Sequence, residues 1–231
     1  MTDAVHLSVA EAYDRWSKSY DGYDNSLVMM AGRALAETAQ AVGDQAVLEF
    51  GCGTGRNLAA LKAAGARRLA GLDLSEGMLA QARARDPAFE LHRQDMALPA
   101  PYPAASFDLA LFCLTLEHVA DIATPLREAI RVLRPGGRIV VIEIHPFLSL
   151  GGLAAHFTEG GETVRMPTVS HRFEDYLNVF ASIGLAVEHC KEWRPVDFAD
   201  PVPERFHKRP ATTPYVVEFR LSPWPELSAS A

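Results

Sequence analysis

Between residues 46 and 144, short apolar runs alternate with stretches of helical periodicity, and that alternation admits few architectures. Strands and helices in regular succession build βαβ units, whose strands lie parallel in a sheet covered by helices. The first run, Ala46–Phe50, leads straight into a turn with three alternate glycines, and a helix is expected over residues 57–64. A second strand is expected over 68–74, then a helix opening after Ser75, whose hydroxyl can cap the first free amides. Further strands are expected over 89–93, Phe107–Cys113 and 138–144, with a helix over 124–133 and a Pro135-Gly136-Gly137 turn before the last strand. The expected fold class is α/β and Rossmann-like: a mostly parallel sheet with helices on both faces.

The flanks read differently. Ahead of this core, residues 9–20 and 27–40 carry apolar and aromatic side chains at helical spacing, suited to a lid or a scaffold. Behind it, residues 145–170 are rich in Gly, Phe and His and lose the alternation, so they are expected to wall a substrate pocket. A helix over 173–183 and strands over 186–193 and 215–221 follow. Between those strands stand Pro195, Pro201, Pro203, Pro210 and Pro214, a density that excludes helix and central strand and predicts a long loop over 194–214. Residues 223–231 are expected to fray. A chain of 231 residues is expected to form one domain: 1–42 a helical lid, 43–144 a cofactor-binding core, 145–231 a substrate wall and the C-terminal strands.

Composition narrows the partners. A formal net charge of −7 argues against a nucleic-acid face, and the one basic cluster, Arg205, His207, Lys208 and Arg209, reads as a solvated loop. Three scattered cysteines, Cys52, Cys113 and Cys190, show neither metal-ligand spacing nor a disulfide framework. No basic leader with an apolar run and no bilayer-length apolar stretch is present, so a cytoplasmic monomer or homodimer acting on a small molecule is expected, away from membranes.

The glycine turn carries the chemistry. Gly51, Gly53 and Gly55 directly follow a strand, where glycine lets a ligand approach the backbone closely. A dinucleotide fingerprint needs its third glycine one residue later, where Arg56 stands. A nucleoside bearing an amino-acid tail needs no pyrophosphate seat, and S-adenosylmethionine has that shape. Asp73, at the end of the second strand, can accept hydrogen bonds from two ribose hydroxyls. Asp95, after the third, can accept from an adenine amino group while the Met96 amide faces a ring nitrogen. A nicotinamide-dependent oxidoreductase remains an alternative that the Gly55 spacing disfavours.

These segments together resemble a known family. Glu49-Phe50-Gly51-Cys52-Gly53-Thr54-Gly55, Asp73, Asp95-Met96 and Leu133-Arg134-Pro135-Gly136-Gly137 are similar, in order, to the motifs of class I methyltransferases over residues 13–144. Tyr13-Asp14-Arg15-Trp16 and Tyr20-Asp21 further resemble the ubiquinone/menaquinone C-methyltransferase-like proteins. The resemblance implies a seven-stranded sheet ending in an antiparallel hairpin, with Glu49 and the glycines near the methionine part of the cofactor. Also expected at S-adenosylmethionine are Tyr13, Trp16, Tyr20, Leu74, Met78, Leu114 and His118. Some similar folds use this cofactor for cyclisation instead of methyl transfer, and the acceptor atom stays open.

After the fourth strand the chain has Cys113-Leu114-Thr115-Leu116-Glu117-His118 in place of the Asn/Asp-Pro-Pro-aromatic motif of amino-group methylation on nucleic acids. No carboxylate cluster indicates magnesium, so no metal is expected. His145, directly after the fifth strand, and His171, ahead of the following helix, are the candidate general bases. Glu143 and Tyr176 read as structural.

Overall fold

The computed structural model describes residues 4–206 and 208–224. Strand β1 (Val5–His6) precedes helix α1 (Val9–Trp16), which Ser8 and Glu11 open with a reciprocal capping box. Helix α2 (Ser26–Ala39) starts at Asn25, whose side chain accepts from the Leu27 and Val28 amides. The expected core then follows: β2 (Ala46–Phe50), α3 (Arg56–Ala63), β3 (Arg68–Asp73), α4 (Glu76–Arg85), β4 (Glu90–Arg93), β5 (Phe107–Cys113), α5 (Ala123–Val132) and β6 (Leu133–Ile144). Ser75 caps α4 through the Met78 amide. The Pro135-Gly136-Gly137 turn is absorbed within β6, where Leu133 pairs with Phe107 but Arg138 pairs with Leu109, a bulge that the positive φ of Gly136 accommodates.

The remaining elements are α6 (Pro146–Ser149), β7 (His156–Glu159), β8 (Glu162–Arg165), α7 (Phe173–Ser182), β9 (Leu185–Trp193) and β10 (Val216–Pro223). Seven strands form one sheet in the order β4-β3-β2-β5-β6-β10-β9. Six of them run in one direction, and β10 lies antiparallel between β6 and β9, the closing hairpin implied by the resemblance. Apolar side chains of β2, β5 and β6 point alternately to the two faces, as the pleat demands. Val47, Leu109 and Ile142 pack with Met30, Leu58, Leu61 and Leu79 of α2, α3 and α4. Leu48, Ala110 and Val141 pack with Leu126 and Ala129 of α5 and with Tyr176 and Phe180 of α7. Among the described residues no helix is long and apolar enough to cross a membrane.

Residues 145–170 are more ordered than their composition indicates. They hold the hairpin β7–β8, turned at Gly160-Gly161, both of positive φ, the pair that a tight two-residue turn requires. β1 adds to β8 in parallel, making a small three-stranded sheet. Trp16 and Ala12 of α1 pack on it against Phe157, Val164 and Met166, and Arg15 reaches Glu159 and Glu162 at 2.7 and 2.8 Å. Loop 194–214 carries two short 3-10 turns and is tied to α2, with Arg33 donating to the Asp200 carbonyl. Of the tail expected to fray, Pro223 ends β10, and residues 225–231 lie outside the described residues, as does His207.

Candidate active site

The loops at the carboxyl ends of β2, β3, β4 and β5 enclose a cavity of about 180 Å3. Its floor is the turn after β2. The Gly53 amide donates to Asp73 Oδ2 at 2.7 Å and the Ser75 amide to Oδ1 at 2.9 Å, so one carboxylate joins the ends of two neighbouring strands. Gly53, at φ +52°, faces open space, leaving its backbone accessible from the cavity. Gly51 serves differently: a Cβ there would lie 2.1 Å from Thr115 Oγ1, so glycine is what lets the β5 loop close over β2.

Of the residues expected at the cofactor, Tyr13, Tyr20, Gly51, Gly53, Asp73, Leu74, Met78, Asp95, Met96, Leu114 and His118 line this cavity. Glu49 and Gly55 stand behind the lining. Glu49 Oε1 accepts from Asn57 Nδ2 at 2.7 Å, and its Oε2 is buried without a partner. Gly55 is a packing glycine, since a Cβ would come within 3.0 Å of Ala82 on α4. Sequence reasoning left out Thr54, Arg56, Asn57 and Thr115, which also line it; three of them adjoin the glycine turn and carried that signal.

Burial sets the protonation. It raises Glu49 to about 8 against the Asn57 hydrogen bond, and Asp73 to about 6 against its two amide donors. Glu143, raised by burial to about 7, accepts from the Leu116 and Thr115 amides through Oε1 and fixes the β5 loop from beneath. His118 Nδ1 can only donate to the Pro167 carbonyl, 2.9 Å away, so its Nε2 accepts from the Tyr13 hydroxyl at 2.9 Å. Burial holds this imidazole below its ordinary pKa and therefore neutral.

The N-terminal segment roofs the cavity. Asp14 Oδ1 accepts from Ser75 Oγ at 2.5 Å and from the Gly77 amide at 2.8 Å, latching α1 to the start of α4. Asp21 accepts from Thr54 Oγ1 at 2.9 Å and pairs with Arg85, which also donates to the Thr54 carbonyl. Trp16 turns away from this cavity and lines a second one, of about 310 Å3, on the far side of Tyr13, Tyr20 and Leu114.

The two candidate bases lie elsewhere. His145 N-caps α6: its Nδ1 accepts from the Phe147 amide, so Nε2 carries the proton and donates to Glu192 Oε1 at 2.7 Å. Arg172 holds the N-cap position of α7 without a side-chain capping bond, its amide donating to Asp175 Oδ2 at 2.8 Å. His171 Nε2 donates to the carbonyls of Leu116 and Val119, at 3.2 and 2.9 Å, and so staples the β5 loop. Neither ring is among the lining of either cavity. Among the described residues no group of three or more His, Cys, Asp or Glu side chains is placed to hold a metal ion.

A family model described as a methyltransferase domain matches residues 48–141, which span the glycine turn, Asp73, Asp95 and the β5 loop. The domain over these residues is similar to the class I S-adenosylmethionine-dependent methyltransferases. A probable S-adenosylmethionine-dependent methyltransferase of Mycolicibacterium smegmatis is 37% identical over 153 residues, 61% of this chain and 57% of that protein. A demethylmenaquinone methyltransferase of Clavibacter sepedonicus is 37% identical over 144 residues, 61% of this chain and 56% of its own length. The chain thus spans little more than half of these relatives. A solved S-adenosylmethionine-dependent methyltransferase from Mesorhizobium loti superposes with a TM-score of 0.66 at 26% identity, covering 81% of this chain and 95% of that one. The cavity agrees with that likeness: the partnerless Glu49 oxygen, the Asp73 carboxyl and the open face of Gly53 suit a cationic nucleoside.

Proposed function

We propose that this chain transfers the methyl group of S-adenosylmethionine to a small-molecule acceptor. The observation that carries the proposal is the Gly53–Asp73 contact at the floor of the cavity, which sets a ribose-accepting carboxylate beside an exposed glycine backbone. Asp73 would take the ribose hydroxyls, Asp95 the adenine amino group, and Leu74 and Met78 the faces of the base. Glu49, behind the glycine turn and raised by burial to about 8, would accept hydrogen bonds toward the amino-acid end, and an arriving cation would favour its ionised form. When bound, the cofactor supplies an electrophilic methyl on a sulfonium.

The chain's own part is positioning and exclusion of water. Tyr13 and Tyr20 form the wall between the two cavities, so whatever enters the second cavity meets the first only past them. α1, latched by Asp14, closes the first cavity from above. The reading takes residues 1–231 as one methyltransferase domain, with 1–42 as the lid, 43–144 as the cofactor core and 145–231 as substrate wall and C-terminal strands. The reading includes a cytoplasmic monomer or homodimer with no metal, no nucleic-acid partner and no membrane partner.

Calorimetric titration with S-adenosylmethionine and with NAD tests the first step. Binding of the former alone is expected. Saturable binding of NAD with none of S-adenosylmethionine would overturn the proposal. Incubation with methyl-labelled cofactor and a panel of small acceptors then distinguishes methyl transfer, which leaves label in the acceptor, from cyclisation, which does not.

A further inference from the structure

Among the described residues, four buried side-chain polar atoms lack a hydrogen-bond partner: Trp16 Nε1, Tyr215 Oη, Glu49 Oε2 and Glu143 Oε2. Trp16 and Tyr215 both line the second cavity. Native proteins pair their buried polar groups, so two orphans around one space call for a ligand that satisfies them. A third group joins them. Glu117 lines the same cavity with its side chain only 12% exposed, and its carboxyl makes no hydrogen bond among the described residues. The nearest basic atom, His118 Nε2, is 3.9 Å away and already accepts from Tyr13 on a neutral ring.

Around these groups the walls are aromatic. Trp16 meets Tyr20 at 4.8 Å and Tyr23 at 5.5 Å between ring centroids, both edge to face, and all three line the cavity with Tyr13. At one side stand Lys208, exposed, and Arg209, half-buried, with no carboxylate paired to either among the described residues. The acidic neighbour Asp24 is already held by Arg205 at 3.3 Å.

We propose that the second cavity is the acceptor site for a hydroxylated aromatic anion. Its ring lies against the Trp16 and tyrosine walls, its hydroxyl donates to Glu117 and accepts from Tyr215, and its negative group meets Lys208 and Arg209. Each part answers one observation. A hydroxyl is the simplest group that both donates to a carboxylate and accepts from a phenol. An aromatic body fills apolar walls that a bare polar anion would leave empty. An anion supplies the charge that two unpaired cations lack. Burial raises Glu117 to about 8, with Glu143 adding to the shift, so near neutral pH it is balanced between accepting and holding a proton. Among the described residues, the titratable and charged groups around it are Glu143, His118, Tyr13, Tyr20, Tyr23, Tyr176, Tyr215, Asp24, His156, Lys208 and Arg209.

The inference rests on reading the first cavity as the cofactor site, and the test keeps the two apart. 4-Hydroxyphenylacetate and its neutral isostere 4-hydroxyphenylacetamide are titrated by calorimetry, with and without S-adenosylhomocysteine. The anion is expected to bind at least about tenfold tighter than the amide. The double variant Lys208→Ala/Arg209→Ala should bring the anion down to the amide. Tyr215→Phe and Glu117→Gln should weaken both probes about three- to tenfold, with unchanged melting showing the fold intact. Equal affinity for the two probes, no binding of either to the unmodified protein, or an anion preference that survives the double variant would each overturn the assignment. Failure of S-adenosylhomocysteine to bind would instead overturn the cofactor reading, while the anion preference measured without it still decides this one.

Discussion

The cofactor cavity and the second cavity share Tyr13, Tyr20 and Leu114, yet they are assembled in opposite ways. The first is made where four neighbouring parallel strands end, from backbone amides and a carboxylate that bind one another before any ligand arrives. The second is pieced together mostly from α1, the segment leading into the start of α2, the residues after β6, Ala154–His156 and the 194–214 loop, with Leu114 and Glu117 of the β5 loop on one side and polar groups left over. A site made of strand ends is fixed by the topology of the sheet. One made of flanking segments can change its lining without disturbing the fold, which suits a constant donor beside a variable acceptor.

The sharpest way to break that comparison is at Asp73. Asp73→Ala removes the acceptor of the Gly53 and Ser75 amides as well as the proposed ribose partner, so S-adenosylmethionine affinity should fall on the order of 100-fold, two charge-assisted hydrogen bonds at about 1.5 kcal/mol each. Probe binding in the second cavity, measured without cofactor, should move by less than threefold. Full S-adenosylmethionine affinity in a folded variant would sink the assignment. Next in size, Gly51→Ala forces a Cβ onto Thr115 at a φ of +73° and should cost about 2–3 kcal/mol in denaturant unfolding. Thr115→Ala in the same chain removes the closest contact and should recover part of the loss, whereas the Thr115 Cβ at 2.9 Å and the strain at φ remain.

A smaller effect separates the two regions by pH. Burial places Glu49 and Glu117 at about 8, Glu143 at about 7 and Asp73 at about 6 in the folded protein. Unfolded, the same carboxyls ionise near about 4. Between those values the unfolded chain has released protons that the folded chain still holds, so it binds fewer protons and stability falls as pH rises. The ligand-free protein should therefore unfold at lower denaturant at pH 8 than at pH 5.5. Glu49→Gln should flatten the slope, and S-adenosylmethionine, by bringing positive charge, should reduce it. A slope that rises with pH would contradict this account. The smallest expected effect on rate belongs to His145→Gln and His171→Gln. Both rings already bind the scaffold, so turnover should stay within about threefold, while unfolding costs about 1–2 kcal/mol. A loss of 100-fold with the fold intact would restore either one to proton transfer.

The first cavity was legible because its residues sit at fixed offsets from strand ends that the apolar alternation already locates; finding Gly53, Asp73 and Asp95 together needed no tertiary knowledge. Gly55 stands outside the cavity lining and packs toward α4, a distinction that the spacing of three glycines does not carry. The β7–β8 hairpin escaped because four-residue strands of mixed polarity carry too little alternation, although Gly160-Gly161 between them was a usable turn signal. Glu117 and Tyr215 could not be found at all, since 98 positions of chain separate two groups that the fold sets around one space. The basic cluster, read as a solvated loop, contributes Lys208 and Arg209 to that space.

The wall of Tyr13, Tyr20 and Leu114 has a thermodynamic consequence. Tyr13 is held in place by His118 and belongs to both cavities, so a ligand on either side orders the same ring. Whatever affinity the first ligand gives up to fix that ring, the second need not give up again. Linkage then requires the enhancement to be mutual: the fold by which donor binding tightens the acceptor must equal the fold by which the acceptor tightens the donor. A single tyrosine thus makes the two halves of the reaction report on each other at equilibrium, before any bond is made.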